Sequence, residues 1–198
     1  LLLQFSYAQE WHSINTKSNE SYSTKLIKST NESVVIDLSL NGFYTNQTSL
    51  PNSVIITNED MAPLSEAGQP NIPSLSIPII INDMGKMDVR VSKVEYLEYN
   101  NIEIAPSKGE FPRSINPDDV PYTYGDVYQQ NEFFPATNVK LDSPYILRDF
   151  RAQNIIVTPF AYNPVTKTLR VLHKMTIEVV SKKEEGENEL ARRSNTIN

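Results

Sequence analysis

The segment TLRVLHKMTIEVV, Thr168 to Val180, decides the fold class. Leu169, Val171, His173, Met175, Ile177 and Val179 fall on one side of an extended chain, with Arg170, Lys174 and Glu178 on the other. Successive side chains of a strand point to opposite faces, so this alternation predicts a long, half-buried β-strand. Immediately upstream, TPFAYNPVTKTLRV supplies a partner: Phe160 and Tyr162 lead into Asn163-Pro164, and Leu169 and Val171 lead out. Asn-Pro followed by polar residues is turn chemistry, because proline presets φ for a turn position. A hairpin is expected here.

Working outward, the same period of two recurs. In SVVIDLSL (Ser33 to Leu40), Val34, Ile36, Leu38 and Leu40 share a face opposite Asp37 and Ser39. SVIIT (Ser53 to Thr57) is a short apolar run bounded by Pro51 and Asn58, as a buried strand would be. In MDVRVSKVEYL (Met87 to Leu97), Met87, Val89 and Val91 alternate with Asp88, Arg90 and Ser92. The phase slips before Val94 and Tyr96, which predicts a bulge near Ser92-Lys93. Pro78 inside LSIPIII marks an edge strand or a strand starting at Ile79. Short strands separated by turns, with almost no helical period, predict an all-β, antiparallel β-sandwich of jelly-roll-like form.

Composition narrows the function. The chain has 198 residues, 39% hydrophobic and 21% charged, enough for one or two domains with a real core. Its net charge of −6, with acids and bases interspersed, argues against nucleic acid as a partner. Cysteine is absent, so disulfides, a thiolate nucleophile and Cys-based zinc sites are excluded. The opening LLLQFSYAQEW reads as the tail of a signal peptide, with Ser6-Tyr7-Ala8 as a cleavage site, and predicts export. The apolar stretch is far short of the roughly 20 residues a membrane span needs. Sequons at Asn19, Asn31 and Asn46 would matter only in a eukaryotic host.

The domain reading is a signal-peptide remnant over 1–9 and a polar, partly disordered segment over 10–32. The sandwich follows over 33–181 with an exposed loop at 106–125, then a charged linker over 182–198 with a short helix around Glu187 to Arg192.

Enzymatic chemistry finds little support. His12 lies in the polar N-terminal segment, and His173 sits mid-strand, where a packed, hydrogen-bonded core histidine is the expected reading. Phosphate-loop and nucleophile-elbow patterns are missing, and no cofactor or metal is expected. Asn116, Asp118 and Asp119 in NPDD offer too few oxygens for the roughly six to eight that calcium takes, so a solvated turn is expected. In SPYILRDFRAQ (Ser143 to Gln153), Asp149 between Arg148 and Arg151 reads as an Arg–Asp cluster tying a strand to its neighbour.

The loop KGEFPRSINPDDVPYTYG (Lys108 to Gly125) is different. It carries Arg113, the single arginine between Arg90 and Arg148, framed by Pro112, Pro117 and Pro121. Prolines disfavour helix and sheet and predict an extended segment, the conformation that peptide-binding grooves accept. Ser114, being small, would pass easily beyond a buried anchor. From the residues alone, a solvated loop arginine and an exposed recognition loop both remain open.

AGQPNIPSLSIPIII (Ala67 to Ile81), EYNNIEIAPSKG (Glu98 to Gly109) and the run from Leu141 to Val180 together resemble the N-terminal prodomain of gingipain-type cysteine peptidases. These are secreted, caspase-like proteases specific for arginine or lysine at P1. The resemblance covers roughly residues 30–180 and includes the Gly-x-Pro-x-x-Pro segment of Gly68, Pro70 and Pro73. It implies a β-sandwich that inhibits and escorts its own catalytic domain, with a basic side chain in the S1 pocket. The family pattern basic-Ser-x-x-Pro-x-x-Val-Pro is matched by RSINPDDVP, which implies Arg113 as the anchor and an arginine-preferring partner peptidase. Phe111, Pro112 and Ser114 would accompany Arg113 in the cleft, with Lys108 as the alternative anchor. Arg192-Arg193 is a candidate processing site. A rival expectation is a free-standing bacterial surface sandwich for adhesion or carbohydrate binding, using Tyr96, Tyr99, Tyr122, Tyr124 and Tyr128.

Overall fold

The computed structural model describes residues 9–16, 18, 20–64 and 66–191. Residues Leu1 to Ala8, expected to end a signal peptide, the sequon residue Asn19 and the pair Arg192-Arg193 lie outside the described residues.

The chain is about 52% strand and forms an all-β sandwich. In chain order the strands are β1 (Gln9–Ser13), β2 (Tyr22–Ser29), β3 (Ser33–Leu40), β4 (Gly42–Gln47), β5 (Ser53–Thr57), β6 (Ala62–Pro63) and β7 (Pro73–Ile80). They continue with β8 (Lys86–Tyr99), β9 (Glu103–Ile104), β10 (Val139–Leu141), β11 (Tyr145–Leu147), β12 (Phe150–Val157), β13 (Phe160–Asn163) and β14 (Thr168–Lys182). One sheet runs β13-β14-β3-β2, with β8 along the other side of β14. A second runs β10-β12-β7-β6, with β11 on β12, and a third runs β1-β4-β5-β9. Among the described residues every strand pairing is antiparallel except β5 with β9. The inward faces of β3, β14, β7 and β12 contribute Ile36, Ile177, Leu75 and Ile155 to one hydrophobic cluster.

The alternation in β3 and β14 is expressed as buried apolar positions, and the Phe160–Asn163/Thr168–Val171 hairpin forms with Asn163 paired to Thr168. Asn163 Oδ1 accepts from the N–H groups of Val165 and Thr166, which closes the turn. The bulge expected near Ser92-Lys93 is present: Thr176 pairs with Ser92 but Lys174 with Glu95, and Lys93 has φ 50°. A second, compensating bulge follows on β14, because Leu172 pairs with Tyr96. The extra residue there is His173. It is therefore turned out of the core row, with its side chain 17% exposed and Nε2 3.7 Å from Glu95. The core-histidine expectation fails because period two cannot survive an inserted residue.

Other departures have equally local causes. The polar segment 10–32 is not partly disordered where it is described: β2 and all of β1 except Gln9 lie within it, paired to β3 and β4. Almost all β2 side chains are exposed, so the strand shows no alternation and is held by backbone pairing. Strand β7 starts at Pro73, not Ile79. Pro78 is tolerated because its partner on β12 bonds from one side and β6 reaches only Pro73 and Ser74. The burial of Met87 does not extend along β8, where Val91 is 41% exposed.

The charged linker is also different. Among its described residues there is no helix, and 184–190 folds back on the sandwich. Arg151, fully buried, donates to the carbonyls of Asn82 (2.9 Å), Gly85 (2.8 Å) and Glu187 (2.6 Å). It thus holds main-chain carbonyls, and Arg148 takes φ 55° in the tight β11–β12 turn. Glu189 Oε1 accepts from Gly85 N (2.8 Å) and Gly186 N (2.9 Å), and Asn188 Nδ2 donates to the Pro144 carbonyl.

Those amide hydrogen bonds, Gly186 first and Gly85 second, hold the Glu189 carboxyl below the usual glutamate range. A depressed folded-state pKa stabilises docking above the ordinary glutamate pKa and is lost as pH falls through the lowered value. The Gly85 and Gly186 amide resonances are expected to titrate together in acid, below the glutamate range. Glu189→Gln should abolish that titration; separate titrations for the two amides would overturn it.

Candidate functional site

Both legs of loop 106–125 are stitched to one short segment. Gly68 N donates to the Ser107 carbonyl (2.9 Å), Ser107 N to the Gln69 carbonyl (2.7 Å), and Gly125 N to the Gly68 carbonyl (3.0 Å). Pro70 bridges Pro106 beside them. Gly68 has φ +82°, and a Cβ there would lie 3.1 Å from Gly125 N. Only glycine meets both demands without strain. The Gly-x-Pro-x-x-Pro segment thus pinches the base of the loop, and Pro73 opens β7.

A second anchor closes the exit. The Tyr128 hydroxyl donates to the Ile104 carbonyl (2.9 Å), and Tyr124 packs edge-on against the Tyr128 ring at 4.7 Å. Burial pushes the Tyr128 hydroxyl pKa strongly upward, so it remains a donor at all physiological pH. Tyr128→Phe should cost about 1–2 kcal/mol of stability, because it leaves a buried carbonyl unpaired. Denaturant unfolding checks this, and a neutral substitution would show that the hydroxyl does not anchor the loop.

Between the anchors the loop is braced rather than loose. Lys108 Nζ donates to the Pro117 carbonyl (2.7 Å) and lies 4.3 Å from the centre of the Tyr122 ring. Its amine is committed within the loop, which disfavours it as the alternative anchor. Asn116 Oδ1 caps the 3-10 turn Pro117–Asp119 by accepting from Asp118 N. Asp118 and Asp119 are exposed, as the solvated-turn reading expects. Phe111 is half-buried and lines a recess of about 550 Å³ under the loop, with Leu64, Pro117 and Tyr122.

At the tip, Pro112, Arg113, Ser114 and Ile115 are exposed. Arg113 makes no side-chain hydrogen bond or ion pair with the described residues. The expected extended pose is not what forms. Ile115 N donates to the Pro112 carbonyl (2.9 Å), so Arg113 and Ser114 occupy the two central positions of a β-turn. Proline at 112 suits a chain entering a turn as well as an extended one, and the prolines alone could not separate the two.

The other sequence candidates do not converge. His12 stacks on Phe43 and hydrogen-bonds Thr45 Oγ1 at 2.9 Å, whereas His173 faces Glu95. Among the described residues no His, Cys, Asp and Glu group could hold a metal ion. The tyrosines do not form one open aromatic face. Tyr99 packs edge-on to Phe43, Tyr122 is covered by Lys108, and Tyr96 is 4.6 Å from the Arg170 guanidinium. Sequence reasoning missed the Gly68–Gly125 pinch, the Tyr128 anchor and the Lys108 brace. The glycine-proline motif signalled the first; the others end on backbone carbonyls, which no residue pattern marks.

Comparison with known proteins gives a consistent picture. The family model described as Propeptide_C25 matches residues 15–198. Gingipain R1 of Porphyromonas gingivalis is 36% identical over 191 residues, covering 95% of this chain and 19% of the relative. Gingipain R2 of Porphyromonas gingivalis (strain ATCC BAA-308 / W83) is 38% identical over 145 residues, covering 73% of this chain and 20% of the relative. The chain thus spans about a fifth of the length of these curated relatives. A solved complex of the Porphyromonas gingivalis RgpB pro- and mature domains aligns with TM-score 0.79 and 33% identity, covering 86% of this chain and 90% of that one. A structure concerning zymogenic latency of gingipain K from the same organism shares the fold, with TM-score 0.71 and 18% identity, over 87% of this chain and 99% of that one.

Proposed function

This chain belongs to the Propeptide_C25 family, and from that premise we propose that it is the inhibitory and chaperoning prodomain of a secreted, arginine-specific, caspase-like cysteine peptidase. The observation that carries the reading is the Arg113 guanidinium, exposed and without a partner among the described residues on a loop pinned at base and middle. An arginine held this way reaches an S1 pocket with little ordering left to do, which favours tight binding. There its planar fork would pair with a carboxylate and exclude substrate. Pro112 and Ser114 flank it in the cleft, and Phe111 supports the near leg from its recess.

The peptidase domain would be carried by sequence outside this chain, as the length of the relatives suggests. Export through a signal peptide ending near Ala8 and processing after Arg192 or Arg193 belong to the same reading. Mass spectrometry of the secreted products checks both. Products that retain Leu1, or that lack a terminus at Arg192 or Arg193, would remove these two points.

Titrating the chain and its Arg113→Ala variant against the cognate peptidase tests the central claim. Lys108→Met separates anchor from brace. Losing one exposed charge-assisted hydrogen bond is expected to weaken inhibition about two- to tenfold. A loss as large as that of Arg113→Ala would make Lys108 the anchor instead.

A further inference from the structure

Trp11 is the single tryptophan of the chain, and it is 40% exposed. It lies on the small sheet of β1, β4 and β5. Opposite residues of paired strands point to the same side, so the register assigns the faces of that sheet. Trp11, Tyr44 and Thr57 form one row across the strands, and Gln9, Asn46 and Ile55 form the next. The alternate positions point inward: Phe43 and Ile56 are buried, and His12 stacks on Phe43. We infer that the outward face binds a neutral oligosaccharide, with a sugar ring laid on Trp11.

The indole has a fixed seat. Ser13 and Gly42 are the next pair beyond Trp11 and Tyr44, and a Cβ on Gly42 would collide with the six-membered ring of Trp11. The bare glycine backbone is therefore where the indole rests. Tyr44 stands beside it, with ring centres 4.6 Å apart and planes tilted by 54°. Two rings meeting at that angle make a shallow trough with aromatic walls, and such rigid side chains lose little freedom on binding. The polar groups beside the trough are amides and hydroxyls, from Gln9, Ser13, Asn46 and Thr57. Asn46 Nδ2 donates to Thr57 Oγ1 (2.7 Å), which leaves Asn46 Oδ1 to accept and the Thr57 hydroxyl proton to donate.

Charge selects the ligand. Neither row contains a charged residue, in a chain of which 21% is charged. A phosphate, a carboxylate or a basic peptide would find no counter-charge among them. A pyranose ring matches the face: its C–H side can lie on an indole, and its hydroxyls both donate and accept. A protein partner fits less well, because the core of a protein interface is mostly apolar. Here amides and hydroxyls are as prominent as Trp11, Tyr44 and Ile55. The face acts independently of Arg113, and it would hold the exported chain at a glycan-bearing surface.

Trp11 is its own reporter, since no second tryptophan contributes to the signal. The folded chain is titrated with maltotriose, cellotriose, mannotriose and triacetylchitotriose. At least one is expected to shift the fluorescence saturably, with a midpoint of about 10 mM or below. That midpoint should stay within about twofold when salt is raised to about 1 M, because no charge takes part. Asn46→Ala keeps the reporter, removes one acceptor and should weaken binding about tenfold. Trp11→Leu keeps bulk over Gly42 but not the flat ring; followed by calorimetry, it should weaken binding roughly tenfold or more. Thermal midpoints show whether each variant folds, and Asn46→Ala carries the test if β1 detaches in the other. Failure of all these sugars overturns the inference, as does unchanged affinity in Asn46→Ala or a midpoint that moves steeply with salt. Ile55 also lines the recess under the inhibitory loop, which makes the cognate peptidase the rival occupant. Weaker inhibition by Asn46→Ala with no response to sugar would make the face a protein contact and end the sugar assignment. Inhibition by Arg113→Ala equal to the parent would sink the S1 assignment and leave the sugar-binding face standing.

Discussion

Arg113→Ala is expected to abolish most of the inhibition while leaving the fold unchanged. Removing one partner of a desolvated, hydrogen-bonded charge pair costs about 2–5 kcal/mol, or roughly 30- to 4000-fold in affinity. On the proposed assignment, much of that loss would come from an S1 carboxylate left buried without its cation. The scaffold should not notice, because the side chain is exposed and bonded to none of the described residues. The thermal midpoint of the variant should therefore match the parent. Arg113→Lys should fall between: it keeps the charge but loses the bidentate fork. An exposed strand position such as Lys28→Ala serves as the surface control. Inhibition by Arg113→Ala equal to that of the control would end the assignment.

The largest effect on stability is expected at Arg151→Met. The guanidinium is fully buried and donates to three carbonyls, from Asn82, Gly85 and Glu187. Its Nε makes no hydrogen bond among the described residues, and its charge adds a small lowering to the Glu189 carboxyl. Methionine fills similar space but leaves those carbonyls without a donor, at roughly 1–3 kcal/mol for each that water cannot reach. A net loss of about 3–5 kcal/mol is expected, since removing one member of a buried polar assembly costs that much. For a domain of this size it corresponds to a fall of roughly 10 °C in thermal midpoint. Segment 184–190 should also come away, exposing the Lys86 and Leu190 amides to exchange. Inhibition by the folded fraction should persist, because the loop rests on Gly68 and Tyr128 instead. A midpoint within about 2 °C of the parent would show that the tail is not held through Arg151.

Much of the sandwich was legible because its signal is local. β3 and β14 pack against the core along one face and face outward on the other, so burial writes a period of two directly into the residues. The Asn163 turn and the slip at Lys93 were legible for the same reason: each is chemistry within a few residues. β2 was not, since an exposed strand has no core to imprint alternation on it. His173 was misplaced because the bulge that turns it outward compensates one on the neighbouring strand.

The candidate site divides along the same line. The sequence by itself determined the fold class, the hairpin, the absence of a cysteine nucleophile, and a lone arginine framed by prolines, because composition and short-range sterics suffice for each. Tertiary structure alone decided that the loop's legs meet at Gly68 and that Lys108 braces the loop. It also decided that Arg113 sits on a turn and that Arg151 binds the carbonyls of Asn82, Gly85 and Glu187. Those outcomes depend on backbone N–H and C=O groups. Every residue but proline carries the same pair, so which of them meet is set by the folded path of the chain and leaves no mark on side-chain identity.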